Sequence, residues 1–176
     1  MKNIILFRYG HRLERDKRVT THCGLVSRAF GANEMFYSGQ EDNTIEDNIN
    51  SITERFGGTF KVSYEKNYMK KLEELKKTHK IIHLTMYGLN FKEFEKTAKK
   101  LDKVVIVIGS QKVPKEIYDI ADYNISVANQ PHSEIAALAI TLDRLNPQYL
   151  DKDFDKKNFK GKIKITPSNE GKIVKY

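Results

Sequence analysis

Three stretches of this sequence bring together residue types that can do chemistry. The first is Gly10-His11-Arg12-Leu13-Glu14-Arg15-Asp16-Lys17-Arg18-Val19-Thr20-Thr21-His22. If it is helical, His11, Arg15, Arg18 and His22 share one stripe at 3.6-residue spacing. Such a stripe repels itself unless Glu14 and Asp16 pair with it locally or an anion lies against it, and a phosphate or RNA backbone is the anion an arginine fork fits. The second stretch, His83-Leu84-Thr85-Met86-Tyr87-Gly88, reads on pattern alone as a strand and a glycine turn. The third is Gly109-Ser110-Gln111-Lys112-Val113-Pro114, followed after one strand by Asn129-Gln130-Pro131-His132-Ser133-Glu134. Gly109 permits close backbone approach to a ligand. Around Pro131 the polar side chains are denser than a helix cap at Ser133 requires.

Several chemistries are disfavoured. No G-x-G-x-x-G follows the first strand signal and no G-K-[ST] occurs, so neither familiar phosphate-binding fingerprint is present. His132 and Glu134 do not make a metal site alone, and His79 and His83, four apart in a strand-like stretch, lack carboxylate partners; metal catalysis is not expected. The single Cys23 rules out a disulfide framework and reads as packing rather than as a nucleophile.

The elements that must position these residues alternate. Residues 3–8 read as a buried strand, followed by a helix that Gly31 stops. Residues 34–38 form a strand and residues 44–56 a helix ending at Gly57-Gly58. A strand over 59–64, a basic amphipathic helix over 68–77, a strand over 81–86 and a helix over 91–101 come next. The β-branched run 104–108 marks a strand covered on both faces. Pro114 suits the first turn of a short helix. Residues 123–127 are a strand, and residues 133–145 a helix with Ile135, Leu138, Leu142 and Leu145 on one stripe. The tail carries a hairpin-like pair at 161–166 and 172–176. Repeated β–α alternation predicts an α/β fold with a mostly parallel sheet flanked by helices.

At 176 residues, 39% hydrophobic and 31% charged, the chain suits one soluble domain, read as residues 1–150 with a short basic extension over 151–176 packed on it. The longest apolar runs are strand-sized and no secretory h-region is seen, so a cytoplasmic protein without a membrane partner is expected. Net charge is +8, from 31 Lys+Arg against 23 Asp+Glu. Residues 1–30 hold Lys2, Arg8, Arg12, Arg15, Lys17, Arg18 and Arg28 against Glu14 and Asp16 alone. The lysines of 66–80 and 152–164 are interleaved with acids and read as solvated surface.

Taken together, the three motifs resemble the archaeal tRNA (cytidine-56) 2′-O-methyltransferase family of the SPOUT superfamily, in family order and over roughly residues 4–145. Ala128 stands where that family carries glycine, and Ser110-Gln111 where it carries Ala-Glu. The resemblance implies a deep trefoil knot in the C-terminal part, a homodimer with the active site at the subunit interface, tRNA as substrate, and S-adenosylmethionine as methyl donor with no metal. It implies donor contacts from Leu84, from Gly109, Ser110, Gln111, Lys112 and Val113, and from Val127, Ala128, Asn129, Gln130, Pro131, His132, Ser133 and Glu134. A first-motif arginine is implied for catalysis: Arg18 foremost, then Arg15 and Arg12, with His22 as a competing proton acceptor. A non-enzymatic RNA-binding protein, and a related methyltransferase acting on another RNA site, remain the alternatives. For the tail, dimer packing and RNA contact are equally open.

Overall fold

Alternation along the strands decides which side chain enters which layer. In this computed structural model, which describes residues 2–109, 112–151 and 154–176, β1 (Asn3–His11) sends Ile4 and Leu6 to one face and Ile5 and Phe7 to the other. β5 (Lys103–Gly109) does the same with Val104, Ile106 and Ile108 against Val105 and Val107. Strands apolar on both sides need cover on both sides. On the first face that cover comes from α1 (Leu13–Ala29), α2 (Asn43–Phe56), α4 (Phe91–Ala98) and α6 (Glu134–Leu145). On the second it comes from α3 (Tyr68–Lys76) and α5 (Lys115–Ile120).

The remaining strands are β2 (Glu34–Gly39), β3 (Lys61–Tyr64), β4 (Lys80–Asn90) and β6 (Tyr123–Ser126). The sheet order is β3-β2-β1-β5-β4-β6, and every pairing is parallel. All strands therefore end on the same edge, where ligands of open α/β sheets bind. A 3-10 turn (Pro147–Leu150), α7 (Phe154–Asn158) and an antiparallel hairpin of β7 (Lys164–Thr166) and β8 (Ile173–Lys175) complete the chain.

Two differences from the sequence reading bear on the site. β1 runs three residues past Arg8 and takes in His11, which is in register with Gly39. His11 is therefore not on the helical stripe expected of it. Its buried ring joins three elements instead: Nδ1 lies 2.9 Å from Thr20 Oγ1 on α1, Nε2 lies 3.7 Å from Asp42 Oδ2 at the start of α2, and the ring meets Tyr37 of β2 edge-on. Burial holds its pKa below the ordinary imidazole value, Asp42 opposing. The second difference is in β4, which continues to Asn90 and is in register with Ile125 twice, at Leu84 and at Leu89. Residues 85–88 are the excess, and they bulge out at the edge where the strands end.

Candidate active site

That bulge builds one wall of a cavity of about 940 Å³ at the ends of β4, β5 and β6. Thr85, Met86 and Tyr87 line it together with Leu84, Gly109 and Val127. Lys112 and Val113 reach it from the segment before α5, and Pro131, His132, Ser133 and Glu134 from the turn into α6. Of the remaining expected donor contacts, Ala128, Asn129 and Gln130 are exposed and outside its lining. Asn129 clasps the wall instead, its Nδ2 donating to the carbonyls of Met86 (2.8 Å) and Gly88 (3.1 Å). Gly88 lies so close to β6 that a Cβ there would stand 2.6 Å from the Asn124 backbone. Ser110 and Gln111 lie outside the described residues.

One contributor was read in the sequence only as a strand residue and as a histidine without carboxylate partners. His83 is fully buried on the cavity wall, with Nδ1 2.8 Å from Asn124 Oδ1. Asn124 donates through Nδ2 to the Tyr118 carbonyl at 3.1 Å, so its oxygen faces His83 and the imidazole carries its proton on Nδ1. Nε2 is then an acceptor, and it makes no hydrogen bond. Burial pushes the His83 pKa down, with the Asn124 bond opposing, so the ring is neutral at physiological pH.

The first motif divides in two. Arg15, Arg18 and His22 are exposed on α1, and among the described residues no ion pair joins either arginine. Arg12 precedes the helix and grips Asp16 with a fork, Nε to Oδ2 at 2.7 Å and Nη2 to Oδ1 at 3.1 Å. None of these four lines the cavity of its own chain. The motif is tied to the cavity by Arg8, a residue counted in the sequence only as part of the basic amino-terminal segment. Arg8 is wholly buried on the α1/α6 face of β1, Nη2 being 2.8 Å from Glu134 Oε2. Beyond this ion pair, Nε and Nη1 have no hydrogen-bond acceptor. A guanidinium at the end of the Ile4–Phe7 run was the available signal. The Glu134 carboxyl is raised above its ordinary pKa by burial, with Arg8 opposing. Cys23 is buried nearby, its thiol pushed up to about 12 by desolvation, which leaves it protonated and inert. No group of three or more His, Cys, Asp or Glu suited to a metal occurs among the described residues.

Comparison with known proteins places this geometry. The family model described as "tRNA ribose 2'-O-methyltransferase, aTrm56" matches residues 56–175. The tRNA (cytidine(56)-2'-O)-methyltransferase of Methanocaldococcus jannaschii is 44% identical over 173 residues, covering 96% of this chain and 94% of that protein. Among solved structures, the TrmH/SpoU tRNA modifying enzyme of A. aeolicus superposes with a TM-score of 0.63 at 19% identity, over 89% of this chain and 80% of that one. The SpoU methyltransferase AviRb of Streptomyces viridochromogenes, in complex with the cofactor AdoMet, gives 0.58 at 11%, over 85% and 58%. The two structural likenesses bear on the fold. The family match and the identity with the methanogen enzyme together show that this chain belongs to the tRNA ribose 2'-O-methyltransferase family, aTrm56.

Proposed function

We propose that the chain transfers the methyl group of S-adenosylmethionine to the ribose 2′-oxygen of cytidine 56 in tRNA, working as a cytoplasmic homodimer. The observation that carries this reading is the cavity itself. It is formed where Gly109, Lys112, Val113, Val127 and the turn Pro131–Glu134 meet Leu84, in a chain 44% identical to an enzyme named for that reaction. Its volume lies within the roughly 300–1,000 Å³ typical of small-ligand sites. The donor fits on a second count, because the buried His83 Nε2 is an acceptor without a partner. When bound, the donor supplies an electrophilic sulfonium methyl, so no metal is needed for activation. Backbone groups of the two segments would hold the adenosine and methionine moieties, and the Asn129 clasp keeps the bulge in place. A C-terminal knot belongs to the same reading, and the close passage of β6 past Gly88 suits it.

The chain's remaining task is to align the 2′-hydroxyl and remove its proton. In-line orientation alone is worth roughly 7–11 kcal/mol. Arg18, then Arg15, are the side chains assigned to orient the ribose and stabilise its developing alkoxide. Arg12 is committed to Asp16, and His22 competes as proton acceptor. These residues lie outside the cavity of their own chain, an arrangement that suits an active site completed by a second copy. The test is incubation with an unmodified tRNA transcript and labelled S-adenosylmethionine, followed by nuclease digestion and mass spectrometry. A single 2′-O-methylcytidine in the T loop is expected. Methyl at another nucleotide overturns the substrate, and no transfer by folded protein overturns the activity.

A further inference from the structure

The second large cavity lies at the other end of the sheet. α1 and α2 run back from the carboxyl ends of the parallel strands, so Arg28 in the last turn of α1 and Phe56 at the end of α2 stand at the strands' amino ends. β5, at seven residues of about 3.3 Å each, puts roughly 20 Å between the two ends. Here the tail closes over the body and leaves a cavity of about 820 Å³. Arg28, Lys156, Lys160, Lys164 and Lys175 line it, with Asp155 the one acid among the described residues of its lining.

The tail is held firmly where it crosses. Gly57 (φ 85°) and Gly161 pass backbone to backbone, so that a Cβ on either would stand under 2.5 Å from the other segment, and the Ile163 amide donates to the Arg55 carbonyl at 2.8 Å. Arg28 is buried, caps the Gly57 carbonyl, and stacks over Phe159 at 4.7 Å; its Nε has no acceptor. On the hairpin, Lys164 and Lys175 are register partners. Directly opposed like charges on a strand pair repel. No ion pair to an acid relieves them among the described residues. Two lysines in register, beside a buried arginine with an unused donor, concentrate positive charge on one wall.

We propose that this tail cavity is a second RNA-contact site, in which Lys164, Lys175 and Arg28 hold phosphodiester groups of the tRNA at a distance from the methylated ribose. It rests on tRNA being the substrate. A small anion would need neither the breadth of the site nor its second basic rim at Lys156 and Lys160, whereas a polyanion long enough to span the sheet engages both ends of the molecule at once. The lysine-rich tail is then a grip and not merely a solvated surface.

The experiment uses the full chain with Lys164→Glu and Lys175→Glu combined; both side chains are exposed, so folding is retained. Methyl transfer to tRNA is measured from 50 to 300 mM salt, with donor affinity by calorimetry and mass by sedimentation. The KM for tRNA should rise about tenfold or more, and the log-log salt slope should become shallower by about 1.4–1.8, at 0.7–0.9 for each lost phosphate contact. kcat and donor affinity should stay put, and Lys164→Arg with Lys175→Arg should behave as wild type. An unchanged KM and slope overturns the site. A variant that falls from dimer to monomer overturns it too, since the surface would then belong to a second copy. If the wild-type protein itself neither binds nor methylates tRNA, the substrate reading fails, and this inference with it.

Discussion

The cavity proposed for the donor and the outer face of α1 proposed for the RNA would solve opposite recognition problems with opposite materials. The cavity is made of strand ends, turns and neutral side chains fixed by internal bonds: His83 by Asn124, Asn124 by the Tyr118 carbonyl, Asn129 by Met86 and Gly88. The α1 face carries Arg15, Arg18 and His22 out into solvent. A small ligand is recognised by shape and aligned hydrogen bonds, which demand rigidity. A polyanion is recognised by charge, which acts at a distance and tolerates mobile side chains. Arg8 and Glu134 join the two regions, a buried cation on the strand under the first motif facing a carboxylate on the cavity wall.

If that contrast is right, damage to the two regions should read out differently. The largest effect is expected at Arg18. Arg18→Ala should lower kcat by about 10²–10³-fold or more while circular dichroism and donor affinity stay unchanged. Wild-type turnover would remove Arg18 from the reaction. Next comes the joint. Glu134→Gln leaves the buried Arg8 uncompensated and should cost about 3 kcal/mol, near the low end for a broken buried pair because the carboxylate keeps contact with water. Denaturant midpoints of the single and double variants, with Arg8→Met as partner, would show whether the pair is coupled. Leu142→Ala, in the wholly buried stripe of α6, should cost about 2–5 kcal/mol. It should weaken donor binding only as far as it unsettles the fold.

Smaller effects follow from charge. Burial holds the folded-state pKa values of His83 and His11 below the ordinary imidazole value of about 6.5. Below that value the unfolded chain takes up protons that the folded chain refuses, so stability should fall as pH drops from about 6.5. His83→Asn should flatten that dependence, as thermal melts between pH 5 and 8 would show. The smallest change is expected at Arg15. Standing second to Arg18 in orienting the ribose, Arg15 should on change to Ala lower kcat by less than Arg18→Ala does and make the log-log salt dependence of tRNA binding shallower by about 0.7–0.9, as for one phosphate contact. An unchanged slope would make the arginine a bystander.

Much of the site was legible because backbone chemistry has a local signature. Gly109, Pro131 and the polar crowd ahead of α6 announced a turn at a strand end, and that turn does line the cavity. The apolar runs announced the sheet and the stripe Ile135, Leu138, Leu142 and Leu145 announced a core-facing helix, of which Leu138, Leu142 and Leu145 are buried and Ile135 partly so, because burial on a strand or helix imposes a period on the sequence. His11 was misplaced for a matching reason. The stretch after Arg8 has no period of its own, so nothing local marks where β1 ends, and pairing with Gly39 decides it. Nor does the sequence indicate that residues 85–88 leave the ladder, since the bulge exists only relative to Ile125 on another strand.

The sequence by itself determined the α/β alternation, the absence of nucleotide-phosphate fingerprints, the basic first motif and the family to which the chain belongs. These depend on residue identity and short-range spacing, which the chain carries wherever it folds. The tertiary structure alone decided that Arg8 and Glu134, 126 positions apart, form one ion pair, buried on the arginine side. It alone decided that His83 keeps an open acceptor and that Lys164 faces Lys175 beside Arg28. Each of these depends on which distant groups share a low-dielectric space, and strand order and helix cover set that.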